Sequence, residues 1–256
     1  MYTKLALQLY SVRNYMEDEQ GVRETFKRLA EMGYTQAQTA GGFPGGVDSF
    51  AQAAKDAGVE IIGTHYEFPQ DLNNLDEYIR VHKVLGTTNA GVGGGCHSGP
   101  KEVIYNYIDK ANALAEKLAE HGMKFTYHHH SYEFGKVDGK RTIEYLLDGL
   151  DAKNTSFVAD TYWMQYGGVC ITDWLKKMEG RIDILHLKDM AVTPGKNDPY
   201  ITEIGSGNID FASVLKVAED TGVKYLCVEQ DYWPSGYSSL ECVKKSADYF
   251  HNVLCK

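Results

Sequence analysis

Asp160, His186 and Glu229 lie far apart in the chain, yet each closes a short apolar run and opens a polar stretch. Asp160 leads into Thr161-Tyr162-Trp163, His186 into Leu187-Lys188-Asp189, and Glu229 into Gln230-Asp231. Two carboxylates and an imidazole, with no cysteine pair beside them, suit one borderline-to-hard divalent ion such as Mn, Co, Zn, Fe or Mg. Such an ion chelates a hydroxyl–carbonyl pair on a sugar, acidifies the hydroxyl and polarises the carbonyl. A neighbouring carboxylate, histidine or lysine can then move the proton next to that carbonyl.

Other polar groups follow the same kind of run. Tyr127-His128-His129-His130-Ser131-Tyr132-Glu133 is the densest, Thr64-His65-Tyr66-Glu67 is another, and a glycine-rich stretch leads to Cys96-His97. His65 and His129 are candidates for substrate contact or proton transfer, and Lys188 for stabilising a developing oxyanion. Tyr10, Phe68, Tyr162 and Trp163 offer aromatic faces for a sugar ring. Each residue also has a plainer use. Asp160 suits a helix N-cap, His186 a satisfied core position and Lys188 an ion pair with Asp189, while the aromatics suit packing.

The elements that would position these groups alternate regularly. Strand-like runs occupy Leu5–Leu9, Gln36–Thr39, Glu60–Thr64, Asn89–Val92, Lys124–His128, Ser156–Asp160, Ile182–Leu187 and Tyr225–Glu229. Longer stretches with helical spacing lie between them, such as Gly21–Met32 and Lys101–His121. Glycines at 33, 58, 86, 122 and 222 precede strands, as helix C-caps followed by short loops do. Eight such units in 256 residues, without a break in composition, predict one α/β domain over residues 1–256, a (β/α)8 barrel. The active site of that fold sits at the C-terminal ends of the strands, where His, Asp or Glu end runs three, five, six, seven and eight. Strand alternation lets each candidate point inward above an apolar residue: Asp160 over Val158, His186 over Ile184 and Glu229 over Cys227.

Composition excludes several functions. A net charge of −9 argues against a general nucleic-acid partner, which needs a Lys/Arg surplus. No G-x-G-x-x-G follows the first strand and no phosphate-binding P-loop occurs. No apolar stretch reaches membrane-span length, so no membrane partner is expected. Five cysteines, odd in number and widely spaced, fit free thiols in a reducing compartment. The N-terminus lacks signal-peptide features, so a cytoplasmic protein is expected. The 18 tyrosines suit a pocket for a polyhydroxylated small molecule as well as ordinary packing. A homo-oligomer stays open.

Five segments resemble, in order, the xylose isomerase-like sugar phosphate isomerase/epimerase family, which is related to the type 2 AP endonuclease fold. They are Tyr127–Phe134, Asp160-Thr161-Tyr162-Trp163 with Gln165-Tyr166-Gly167-Gly168, Arg181–Met190, Glu203–Asp210 and Val228–Asp231. The resemblance implies a TIM barrel holding one ion, Mn first, on carboxylate, Asp, His and Glu ligands from strands five to eight. Asp160, His186 and Glu229 match directly. The family's strand-five Glu would fall near Tyr127, where this chain has no carboxylate; Glu133 is the expected replacement, with His128 or His130 as alternatives. Gln38 stands where the family often has Glu.

The expected activity is therefore isomerisation or epimerisation of a sugar-like substrate. Glu229, His129, Lys188 and Glu133 are the catalytic candidates, and His65, Tyr10, Trp163, Gln165 and Phe68 the substrate contacts. Without the second opposed Glu, dehydration or β-elimination of an inosose or a 3-keto-glycoside is the alternative. An AP endonuclease-type phosphodiesterase and a non-catalytic sugar-binding barrel are the remaining rivals.

Overall fold

A computed structural model describes residues 2–96 and 99–255, so His97 lies outside the described residues. The strands expected from the sequence form one parallel sheet: β1 (Ala6–Gln8), β2 (Gln36–Thr39), β3 (Glu60–Thr64), β4 (Asn89–Val92), β5 (Lys124–His128), β6 (Thr155–Asp160), β7 (Ile182–Leu187) and β8 (Tyr225–Val228). Their spatial order is β3-β2-β1-β8-β7-β6-β5-β4. The two edges meet, because the Tyr66 N–H donates to the Gly91 carbonyl at 2.8 Å and the Asn89 side chain donates to the Ile62 carbonyl at 2.8 Å. A Cβ on Gly91 would lie 2.2 Å from the Thr64 carbonyl oxygen, so only glycine allows the seam to close here. The sheet is thus the expected barrel.

Helices fill the connections: α1 (Glu19–Glu31), α2 (Val47–Asp56), α3 (Asp76–Leu85), α4 (Lys101–Ala119), α5 (Thr142–Gly149), α6 (Thr161–Tyr166), α7 (Ile171–Lys177), α8 (Phe211–Asp220) and α9 (Ser239–Tyr249). Helix α1 starts two residues before its expected Gly21, because the Asp18 carboxylate caps it by accepting from Gly21 N–H at 2.7 Å. Gly58 ends the α2 segment at φ +73°, and Val59 N–H returns to the Ala54 carbonyl in the Schellman pattern. Among the described residues no helix is long and apolar enough to cross a membrane.

Two apolar layers result. Phe26, Phe125, Tyr127, Phe157, Leu185 and Leu187 belong to the large core between strands and helices. Ala6, Ile62, Val158, Ile184 and Cys227 form a separate plug inside the barrel. The plug contains the three residues expected beneath Asp160, His186 and Glu229. Strand register sets those three at one level. Asp160 pairs with His186 and Cys227 with His186, while Glu229 N–H donates to the Leu187 carbonyl at 3.2 Å.

Candidate metal centre

Above the plug, one ligand atom each from His128, Asp160, His186 and Glu229 lies within 4.8 Å of the others, and all four side chains are buried. Asp160 divides its two oxygens. Oδ1 caps α6 by accepting from Trp163 N–H at 3.0 Å, while Oδ2 lies 3.5 Å from His128 Nε2 and 3.5 Å from His186 Nδ1. The N-cap and the candidate ligand are therefore the same residue. His186 Nε2 meets Gln38 Oε1 at 2.6 Å; the amide oxygen can only accept, so Nε2 carries a hydrogen and Nδ1 faces the cluster, where, against its burial, Glu229 and Asp160 raise the ring well above its ordinary value.

The group fits a divalent ion on three counts. His186 Nδ1 is 2.9 Å from Glu229 Oε2 and 3.5 Å from Asp160 Oδ2 without making a directed hydrogen bond to either, so three donor atoms converge on one point. A ring N–H held by an amide carbonyl is the usual support for a ligating histidine. Charge is also unbalanced. Lys188, only 1% exposed, places Nζ 2.7 Å from Glu229, 3.4 Å from Asp160 and 3.1 Å from Asp231. Three carboxylates thus face one ammonium and one imidazole that they raise, an excess of acid in a buried site that a divalent cation would relieve.

These charges set the protonation states. Burial pushes the Asp160 and Glu229 acids up, but Lys188 and the neighbouring imidazoles outweigh it and hold both well below the carboxylate range. Asp231 is raised to about 6 by burial and by Glu229, against the pull of Lys188. The Lys188 ammonium is stabilised against burial by Asp160, Glu229 and Asp231. Burial drives His128 well below its ordinary value and His65 down to about 3. Their rings pack 4.8 Å apart, and His186 lies 4.7 Å from His128, so each opposes a charge on the next.

Strand five is where the structure corrects the sequence. The expected ligand Glu133 does not join the group. Tyr127 points outward, packing on Tyr107 of α4 and on Phe157, so the inward residue at the mouth is His128. The strand ends there, and a 3-10 turn over Tyr132–Phe134 carries Glu133 to the outer side. Its carboxylate accepts from Tyr127 OH at 2.5 Å and from His130 N–H at 2.8 Å, and burial raises it to about 7. His129 is committed as well. Its Nε2 accepts from Asp160 N–H at 3.1 Å and its Nδ1 lies 3.3 Å from the His130 carbonyl, which leaves no lone pair for a proton.

A cavity of about 740 Å³ opens over the cluster, lined by Tyr10, Gly41, Gly42, His65, Glu67, Gly93, His128, His130, Lys188, Glu229, Asp231 and Tyr232 among others. Of the expected substrate contacts, His65 and Tyr10 line it. Trp163 instead lies against Lys188, its ring 5.3 Å from Nζ, and Gln165 is exposed outside the lining. Phe68 packs on Tyr107 and Phe125. Asp189 is no partner of Lys188: its oxygens accept from the backbone N–H groups of Met190, Gly205, Gly207 and Ile209, ordering the loop after β7. Thr161, absent from the expected site, fastens the end of β7 by donating to the Lys188 carbonyl at 2.8 Å and accepting its N–H at 3.0 Å. Asp231 and Glu67, each in a polar stretch at a strand end but neither among the expected site residues, also line the cavity.

Comparison with known proteins agrees with this fold. The family model of xylose isomerase-like TIM barrels matches residues 26–250. An inosose dehydratase of Clostridium perfringens is 27% identical over 182 residues, which cover 66% of this chain and 61% of that protein. The match therefore spans about three fifths of that relative's length. A sugar phosphate isomerase/epimerase from Parabacteroides distasonis superposes with a TM-score of 0.83 at 22% identity, over 99% of this chain and 95% of the other. The IOLI protein with a binding zinc atom superposes at 0.75 and 14% identity, over 98% of each chain. At these identities the two structures show the shared fold.

Proposed function

The chain belongs to the xylose isomerase-like TIM barrel family, and from that premise we propose that it is a metal-dependent lyase that dehydrates an uncharged cyclic polyol ketone. The observation that carries this reading is the one-sided placement of its carboxylates. Glu229 and Asp231 stand together at the end of β8, joined by Lys188, while strand five offers the cluster an imidazole and no acid. Epimerisation between two opposed carboxylate bases has no second base here; elimination needs one. The name of the Clostridium perfringens relative supports the same class.

His128, Asp160, His186 and Glu229 would hold the ion, which supplies polarisation of the substrate carbonyl. Two imidazoles among the donors suit Mn, Co, Zn or Fe better than Mg, with Mn the first to try; the zinc of IOLI supports that donor class. Asp231 lines the cavity beside Lys188 and takes the proton next to the carbonyl. Its partner Lys188 keeps it ionised and close to the developing negative charge. Gln8 Nε2 lies 3.0 Å from His65 Nδ1, so His65 presents an N–H from Nε2, an atom without a protein partner, to the departing hydroxyl. The C–H and C–O bonds break, a double bond conjugated to the carbonyl forms, and the hydroxyl leaves as water with the proton that Asp231 removed.

The charge of the lining argues for a neutral substrate. Glu67, Glu229 and Asp231 face the cavity, and Lys188, the lysine of its lining, is engaged by three carboxylates, so a phosphate ester would meet repulsion. The free state of the cysteines supports a reducing, cytoplasmic setting.

The test is dehydration of an inosose, followed by the absorbance of the conjugated product, with Mn and after chelation. Turnover that survives complete metal removal, or turnover of ketose phosphates but not of inososes, would overturn the proposal. The isomerase reading keeps one specific support, since proton removal next to a carbonyl is its first step too. Uptake of solvent deuterium into a ketose without loss of water would favour it.

A further inference from the structure

We infer that Gln8 and Gln38 form a positioning relay that fixes the tautomers of two histidines at once, His186 toward the metal position and His65 toward the substrate. The inference rests on the metal reading above for its His186 half only.

The relay is anchored at one end by a group whose role is unambiguous. The backbone N–H of Tyr10 can only donate, and it meets Gln8 Oε1 at 2.9 Å. That contact turns Gln8 Nε2 inward, where it reaches three acceptors: His65 Nδ1 at 3.0 Å, Gln38 Oε1 at 3.3 Å and the Thr39 carbonyl at 3.3 Å. His65 must therefore accept at Nδ1 and carry its hydrogen on Nε2. Gln38 Oε1 in turn accepts from both sides, from Gln8 and from His186 Nε2 at 2.6 Å. Flipping the Gln38 amide would set its NH2 against the Gln8 NH2 and force the His186 hydrogen onto Nδ1, beside Glu229 and away from a ligand's role.

Three features show that the device is built in rather than incidental. Both glutamines are completely buried, and β1 and β2 place them as direct neighbours in the strand register. Gln38 Nε2 has no partner at all. An orphaned buried donor is costly, and here it persists because the oxygen of the same amide is held by Gln8 and His186. An amide also accepts from His186 without adding a fourth carboxylate to a site whose three face a single ammonium.

Histidine 15N spectra and Zn2+ titration test both halves without reference to turnover. In the metal-free protein above neutral pH, His65 should show the Nε2–H tautomer. Gln8→Leu should lose that signature by mixing tautomers and leave Zn2+ affinity within a few-fold. Gln38→Leu should weaken Zn2+ binding roughly 10–100-fold, the usual effect of losing a ligand's hydrogen-bond partner. A urea midpoint of Gln38→Leu close to that of Gln8→Leu should accompany the loss and so separate a lost hydrogen bond from a folding defect. A wild-type His65 in the Nδ1–H form, or a Gln38→Leu protein that binds Zn2+ as tightly as wild type, would overturn the relay. A wild-type protein that takes up no Zn2+ would instead overturn the metal reading and the His186 half with it, while the His65 signature would still decide the Gln8 half.

Discussion

Glu229 and Glu133 are both buried at the mouth of the barrel, 5% and 0% exposed, but their oxygens face different things. Glu133 accepts from two neutral donors, Tyr127 OH and His130 N–H. Burial without a cation lifts its acid to about 7. Glu229 lies 2.7 Å from the Lys188 ammonium, held ionised against its own burial, with an oxygen turned to a ring nitrogen that does not bond it. A carboxylate satisfied by neutral donors completes a fold. One kept charged beside an ammonium and a ring nitrogen is what the proposed ion would need.

The widest gap between the two should appear on neutralising each. Glu229→Gln should abolish stoichiometric Mn2+ or Zn2+ binding and lower turnover on the order of 10³-fold, the scale of several kcal/mol of Lewis-acid assistance. Glu133→Gln should leave metal stoichiometry intact. If both variants lose the metal equally, the contrast fails. Asp231→Asn sharpens the division within β8 itself: kcat should drop about 10²-fold or more while metal affinity, measured by calorimetry, stays close to wild type. A loss of metal affinity in that variant would make Asp231 a ligand instead of a base.

Glu133 should also show itself in stability against pH. Its acid is raised from 4.5 to about 7 by burial, so the folded state favours the protonated form. Its contribution is then fully present below about pH 4.5 and is lost as pH rises through about 7. Urea midpoints of the wild type should fall between pH 5 and pH 8 more steeply than those of Glu133→Gln, and equal slopes would remove burial as the cause. The smallest effect belongs to Gln165→Ala, whose exposed side chain lies off the cavity. Activity there should stay within about twofold; a larger loss in a steady-state assay would bring the α6 segment back into the substrate's path.

Much of the frame was legible because each strand ends in a local signal. β2, β3, β4, β5 and β7 run over the residues expected from apolar runs bounded by glycine and polar turns. Asp160, His186 and Glu229 were legible because a charged or imidazole group ending an apolar run has little other reason to be there. Strand five misled because its orientation depends on a partner from another element. Tyr127 faces outward to meet Tyr107 of α4, and that contact turns His128 inward and Glu133 away. His129 misled for a similar reason: its two nitrogens are taken by backbone groups, one of them on β6.

By itself, then, the sequence determined the repeating strand–helix order, the level at which three ligands from successive strands would meet, and the apolar plug beneath them, since period-two alternation and strand ends are properties of local chain. Only the tertiary structure decided which histidine stands beside Asp160, His186 and Glu229, which glutamate turns away from them, and where the Gln8 and Gln38 amides meet His65 and His186. Those outcomes depend on hydrogen bonds and packing between strands far apart in sequence, where a single rotated side chain changes which lone pair is left facing the cavity.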